Sequence, residues 1–440
     1  MHAESASGPC PRHEHGLSRR LFMNSLSIGL AGGAGLISNA GSAHLFDQPG
    51  LNLALKKRAR SVLLVWLAGG ASQFETFDPK PGVRTGGPFS SIPSSIPGVH
   101  VSELMPLMAK RMHKTALIRS LNTGDSGHDT ASVLMMRGRK DEPALKYPDI
   151  GAILAKELGR ANSEVPDYVS FYSQTEGRRF SRLTPSFLGA RYAPMELTDS
   201  MMPPNLRRLE EIETLDHHAR AELRNLMSRQ FEKGRLNETI QSHANAYARV
   251  HGLMSSERLF DIEREPTALR ERYGATLFGQ QAILSRRLVE AGVPFVRLGR
   301  AWWDSHGQNF ECHQEMVPEL DRVLSALHDD LEQRGLLEQT LVVVMGEFGR
   351  TPEINPNLGR DHFSKAWSAM MFGCGVVPGA VYGKTDALGR EVAEGEVGAG
   401  ELFATILNAV GIPHDKNYYV GPRPVPLVNY GTEPIAEILS

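Results

Sequence analysis

Residues 340–363 read TLVVVMGEFGRTPEINPNLGRDHF, and the fold is decided there. The run from Thr340 to Met345 is almost wholly β-branched or aliphatic. Such a run fits a strand buried on both faces of a parallel sheet. It breaks at once into Gly346, Glu347, Phe348, Gly349 and Arg350, placing a carboxylate and a guanidinium among glycines just past the strand's carboxyl end. In open α/β sheets that edge is where ligands bind. A second polar cluster, Gly359, Arg360, Asp361 and His362, follows on a loop. The plainer reading is a turn in which Glu347 and Arg350 pair only with each other.

Working outward, residues 61–67 form the first strong strand, and Gly69 and Gly70 after it let the backbone come close to a ligand. Residues 115–119 make a short second strand. The segment GDSGHDTAS at 124–132 then runs into a helix ending at Gly138. A loop carrying Asp, Ser and His at a helix start presents hydroxyls and free backbone N–H groups to an anion, or else Ser126 or Asp129 simply caps the helix. Helices are predicted at 102–109 with Ser102 as cap, at 149–158, 277–291, 316–333 and 401–410, and strands at 293–298 and 368–373. Residues 206–249 carry dense Leu, Glu, Arg and His, which predicts long helices within a largely helical insertion at about 172–276. His217 and His218 there read as surface residues, because adjacent positions leave a helix on different sides.

Asp304 and His306 lie two apart in WWDSHGQNF, so a bent loop can aim both at one cation; an exposed turn held by Asp304 is the other reading. With 440 residues there is room for one large α/β domain with insertions. A net charge of −2 gives no footprint for nucleic acid. Of three cysteines, Cys10 precedes the mature region, and Cys312 and Cys374 have neither disulfide-framework nor Cys-x-x-Cys spacing.

At the amino terminus, Arg19 and Arg20 precede a Gly- and Ala-rich apolar segment, and Gly41, Ser42 and Ala43 offer a cleavage point. This pattern reads as a Tat-type export signal over residues 1–43, with a mature chain at 44–440 located in the periplasm or otherwise outside the cytoplasm. The alternative is a short amphipathic helix with two chance arginines. The apolar run is too short and glycine-rich for a membrane span, so none is expected in the mature chain.

Residues 63–80 (LLVWLAGGASQFETFDPK), 303–310 (WDSHGQNF), 346–352 (GEFGRTP) and 359–363 (GRDHF) together resemble the domain-of-unknown-function 1501 family. That family resembles distant relatives of the alkaline phosphatase and sulfatase superfamily. The resemblance implies an alkaline phosphatase-like three-layer α/β sandwich, with a mostly parallel central sheet and metal ligands at strand ends. It implies Asp304, His306, Glu347 and His362 as holders of a divalent metal ion. Phe348 stands where the superfamily keeps a ligating His, and Ala68–Gly70 where the first strand would end in Asp, so Glu75 or Asp78 would have to substitute. His128 falls near the nucleophile's place, flanked by Ser126 and Thr130, and no Cys-x-Pro-x-Arg pattern is present. Two functions follow. One is a metal-dependent hydrolase of phosphate or sulfate esters, with His128 as general acid or base, or Ser126 as nucleophile, and with Arg350 and Arg360 clamping a small anionic ester. The other is an exported relative without catalysis that binds a ligand or partner.

Overall fold

The computed structural model describes residues 60–160, 163, 165–171, 174–175, 178–179, 183–197, 201–203, 214–232 and 257–440. The export signal and most of the segment 204–256 lie outside the described residues. So do the side chains of His217 and His218.

The centre is an eight-stranded sheet. Its strands are β1 (Ser61–Leu67), β2 (Thr115–Leu121), β3 (Tyr168–Phe171), β4 (Met195–Leu197), β5 (Phe295–Arg300), β6 (Thr340–Met345), β7 (Trp367–Gly373) and β8 (Val381–Tyr382). The order across the sheet is β8-β2-β7-β6-β1-β5-β3-β4. β6 and β5 flank β1 in parallel, β3 pairs in parallel with β5 and β4, and β8 with β2. Only β7 runs against its neighbours, antiparallel to both β6 and β2. The expected mostly parallel sheet is therefore present.

Every residue of β1 and β6 is buried, because both faces of the sheet are covered. Alternation along each strand divides the side chains between two apolar layers. Leu63, Val65, Val342 and Val344 pack on one side with helices α3 (Leu277–Glu290) and α4 (Asn309–Gln333). Val62, Leu64, Trp66, Val343 and Met345 pack on the other with α1 (His128–Arg137), α2 (Ile150–Leu158) and α5 (Ala399–Ala409). The result is a three-layer α/β sandwich.

Local chemistry sets the helix ends. Asp149 caps α2 by accepting from Ala152 N at 3.0 Å, and Thr276 caps α3 through Gly279 N at 3.2 Å. Gly138, with φ of +67°, closes α1. The helix expected at 102–109 is shorter than its pattern implied, at Pro106–Ala109. Pro106 starts it, as proline does at a first helical turn. Ser102 instead ends a short strand paired with Ser91–Pro93, and its N–H donates to Thr76 O. A helix does occupy Thr214–Glu232 in the expected insertion. Among the described residues, no helix is long and apolar enough to cross a membrane.

Candidate metal centre

The register Ser61↔Thr340 through Trp66↔Met345 brings the exits of β1 and β6 to one edge of the sheet. Loops following β2 and β5 leave at that edge too, delivering His128, Asp304 and His306. Because β7 is reversed, it is the loop before it that arrives there, carrying Asp361 and His362. Residues remote in sequence thus converge.

His128, Asp304 and His362 offer ligand atoms all within 4.8 Å of one another. His362 Nε2 is 3.0 Å from Asp304 Oδ1, His306 Nε2 is 3.1 Å from the same oxygen, and the two Nε2 atoms are 2.9 Å apart. The three atoms make a nearly equilateral triangle. The outer nitrogens decide its chemistry. His362 Nδ1 lies 2.8 Å from the Ser126 carbonyl, which can only accept, so that nitrogen carries the proton. His306 Nδ1 likewise donates to Asp361 Oδ1 at 2.7 Å, and this hydrogen bond holds the Asp361 carboxyl below its ordinary range. In the neutral rings both inner Nε2 atoms then present lone pairs to each other and to a carboxylate oxygen. A cation between them removes that repulsion. For tetrahedral ligation with bonds of about 2.0–2.1 Å, ligand atoms sit about 3.3 Å apart, close to the spacing observed here.

His128 approaches from α1. Its Nε2 is 3.2 Å from Asp304 Oδ2 and its Nδ1 is 2.8 Å from Glu347 Oε1. Burial works against the charged ring, but hydrogen bonds to Asp304 and Glu347 prevail and raise its pKa to about 9. Glu347 is fully buried, and its Oε1 also accepts from Gly69 N at 2.8 Å. It stands behind His128, orienting the ring, while Oε2 has no protein hydrogen-bond partner. This is the carboxylate–histidine arrangement that orients metal-ligating imidazoles.

The glycines at the end of β1 have a geometric cause. A Cβ on Gly69, at φ of +108°, would lie 2.5 Å from Asp304 N, and one on Gly70 would lie 2.7 Å from the Phe348 ring. An Asp at this strand end would push the Asp304 loop away. Phe348, which cannot ligate, packs as a wall with its ring centroid 4.5 Å from His362 and 5.1 Å from His128.

The remaining expected site residues divide. Ser126 is at the cluster, its carbonyl on His362 and its hydroxyl 3.0 Å from Ser364 Oγ. Arg350 and Arg360 are fully buried, and the expectation that they clamp an anion is corrected by their partners. Arg350 donates to Gly70 O, Arg360 O, Gly69 O and, at 2.5 Å, Asp304 Oδ1. Arg360 donates to Glu75 and to the carbonyls of Thr351, Pro352 and Thr85. Both guanidiniums are committed to fixing the loops. Glu75 is thereby engaged with Arg360 at 2.9 Å, and Asp78 with Lys80 at 3.1 Å and Thr385, so neither stands in for the missing strand-end ligand. Sequence reasoning passed over Asp361 as a support and His128 as a ligand; the signal for Asp361 was its place beside His362 in GRDHF.

These features define an α/β protein with a candidate metal centre on the carboxyl edge of its sheet. The family described as "Protein of unknown function (DUF1501)" matches residues 59–439, and the chain belongs to it. Among curated proteins, no sequence matches this chain. Solved structures similar to it include the PsFucS1 sulfatase from Pseudoalteromonas sp., at 13% identity and TM-score 0.41, covering 82% of this chain and 70% of that one. The lipoteichoic acid synthase LtaP from Listeria monocytogenes is similar at 9% identity and TM-score 0.35, covering 81% and 73%. Alkaline phosphatase from the Antarctic bacterium TAB5 is similar at 12% identity and TM-score 0.34, covering 80% and 98%.

Proposed function

We propose that this protein is a metal-dependent hydrolase of phosphate or sulfate esters that works outside the cytoplasm. The observation that carries the reading is the triangle of His306 Nε2, His362 Nε2 and Asp304 Oδ1, with sides of 2.9–3.1 Å. The donor set fits a divalent ion, since imidazole nitrogen with carboxylate oxygen suits Zn and its neighbours. Each histidine also has Nδ1 held by an acceptor, which is how ligating imidazoles are prepared. Asp304, His306, His362 and His128 would hold the ion. When bound it supplies Lewis-acid chemistry at the ester.

The chain's own groups do the rest. The α1 N-terminus, whose first N–H groups have no carbonyl of their own helix to bond, attracts the anionic group of the ester. With its Nδ1 proton on Glu347, His128 turns Nε2 toward the same centre beside Asp304. Ser126 lies on the exposed lip with its hydroxyl against Ser364, available as a nucleophile or as a donor to substrate. The twin arginines and apolar leader of residues 18–43 support export in the folded state.

A second reading, a binding protein without turnover, is favoured by the full commitment of Arg350 and Arg360 to loop carbonyls and carboxylates. Elemental analysis of the purified mature chain, with assays on aryl phosphate and aryl sulfate esters, separates the two. Stoichiometric metal and turnover abolished by a chelator support the hydrolase. Metal without turnover supports the binding protein, and metal-free inert protein removes the first reading.

A further inference from the structure

Beneath the candidate centre, on the sheet face covered by α1 and α2, lies a group of buried polar atoms that the proposed chemistry does not use. Arg297 of β5 is 3% exposed, and its Nε and Nη2 have no protein hydrogen-bond partner; Nη1 reaches Ser170 Oγ only at 3.5 Å. Its guanidinium carbon sits 5.2 Å from the centre of the Trp66 ring, whose Nε1 also lacks a partner. Glu347 Oε2 and the Tyr168 hydroxyl, on the same face of the sheet, also lack a partner.

The register explains the grouping. Arg297 is paired with Leu64, and Trp66 with Gly299 on one side and Met345 on the other. Strand alternation puts Arg297, Trp66 and Met345 on one face, and Glu347 continues that parity past the end of β6. Ser132, one turn along α1 from His128, is buried with its hydroxyl unpartnered and lies on the same helix face. Burial pushes the Arg297 guanidinium down, while Tyr168, Glu347, Asp149 and Glu196 push it up; burial keeps Tyr168 in its neutral form and Glu196 is exposed, which leaves two buried carboxylates. A buried cation without a counter-charge is costly, so these charges need an assignment. Asp149 already has both oxygens occupied, by Ala152 N at 3.0 Å and Thr184 N at 2.7 Å. Glu347 has one oxygen left.

We infer that Arg297 is a positioning residue: the buried counter-charge that fixes Glu347 and, through it, the His128 ring at the metal centre. The line of support runs Arg297, Glu347, His128, reaching the centre from below the sheet edge rather than from its open side. Such outer supports typically change metal affinity about 10–100-fold when removed. The inference rests on the metal reading for its binding readout, though not for its geometric one.

The test uses the full mature chain with Arg297→Met, Arg297→Lys and Asp149→Asn, titrated with Zn²⁺ by calorimetry and crystallised without metal. Arg297→Met is expected to weaken Zn²⁺ binding about 10-fold or more and to release the Glu347 carboxylate from His128 Nδ1 and Gly69 N. Arg297→Lys, which restores the charge, is expected to recover both, and Asp149→Asn to leave both as in the wild type. Arg297→Gln carries the same reading if the Met variant does not fold. The inference is overturned if the uncharged variants keep the Glu347–His128 contact, or if Asp149→Asn reproduces their effect. A wild-type chain that binds no Zn²⁺ removes the metal reading alone, and the crystallographic contact then decides the role of Arg297.

Discussion

His306 Nε2 and His362 Nε2 face each other at 2.9 Å while each ring gives its other nitrogen's proton to a fixed acceptor, Asp361 and the Ser126 carbonyl. In the neutral rings two lone pairs oppose each other at that distance. The fold holds them there because the loop before β7 and the loop after β5 are locked by buried arginines, one of which also binds Asp304.

Removing an outer support should therefore loosen the ion without unfolding the chain. Asp361→Asn keeps the size of the side chain but weakens the acceptor that fixes the His306 tautomer. The expected result is a 10–100-fold loss of divalent-ion affinity in calorimetric titration, with the thermal midpoint of the metal-free protein unchanged. His362→Ala should abolish stoichiometric binding altogether.

Gly69→Ala should damage the centre from the opposite loop. The new Cβ meets Asp304 N at 2.5 Å and Trp303 backbone atoms at 3.0 Å, at a φ of +108° that side chains avoid. Backbone strain and displacement together should cost about 3 kcal/mol in denaturant unfolding. Metal affinity should fall as well, because Asp304 is what moves. Unchanged stability would mean that the loop yields freely.

Arg360→Met should act on stability alone. Arg360 and Glu75 are both fully buried, so losing the guanidinium leaves a charge in the core, at about 3–5 kcal/mol. An anion clamp would instead raise KM for an anionic ester at little cost in stability. Urea unfolding beside steady-state kinetics distinguishes the two outcomes.

Asp149 should leave a mark on the pH dependence of stability. Burial raises its carboxyl from 3.8 to about 6, against the backbone hydrogen bonds from Ala152 and Thr184 that favour the charged form. The folded state thus holds a proton that the unfolded state has released. This contribution is complete below about pH 4 and is lost as pH rises through about 6, on the order of 3 kcal/mol. Asp149→Asn should flatten the stability profile across that window in metal-free protein. A slope unchanged by the substitution would place the titration elsewhere.

What could be read from the sequence follows what each signal physically encodes. β1 and β6 were legible because strands buried on both faces must be apolar throughout, Asp304 and Glu347 because polar residues just past strands are conspicuous, and His362 because it sits in the second polar cluster, GRDHF, on the loop that follows. β3 and β4 were not, being short and set toward the edge, with β4 inside a Ser-, Arg- and Pro-rich stretch. The reversed direction of β7 was equally hidden, since an apolar run carries no sign of its polarity in the sheet. Charge alone could not say that Arg350 and Arg360 point inward to carbonyls; only the packed loops fix that. His128 was visible at a helix start, but its partners are 176 and 219 positions away, beyond any local pattern.

The reversed strand β7 has one more consequence, for the order in which the protein becomes competent. His362 is separated from Asp304 by 58 positions, and His128 by 176 on the other side. The His362 loop enters the centre only when β7 has inserted between β6 and β2, joining the early β2 to the late β6. A chain interrupted before residue 367 can build much of the sheet and still lacks the strand that anchors this loop. Capture of an ion by the whole set would then act as a checkpoint on the insertion of β7.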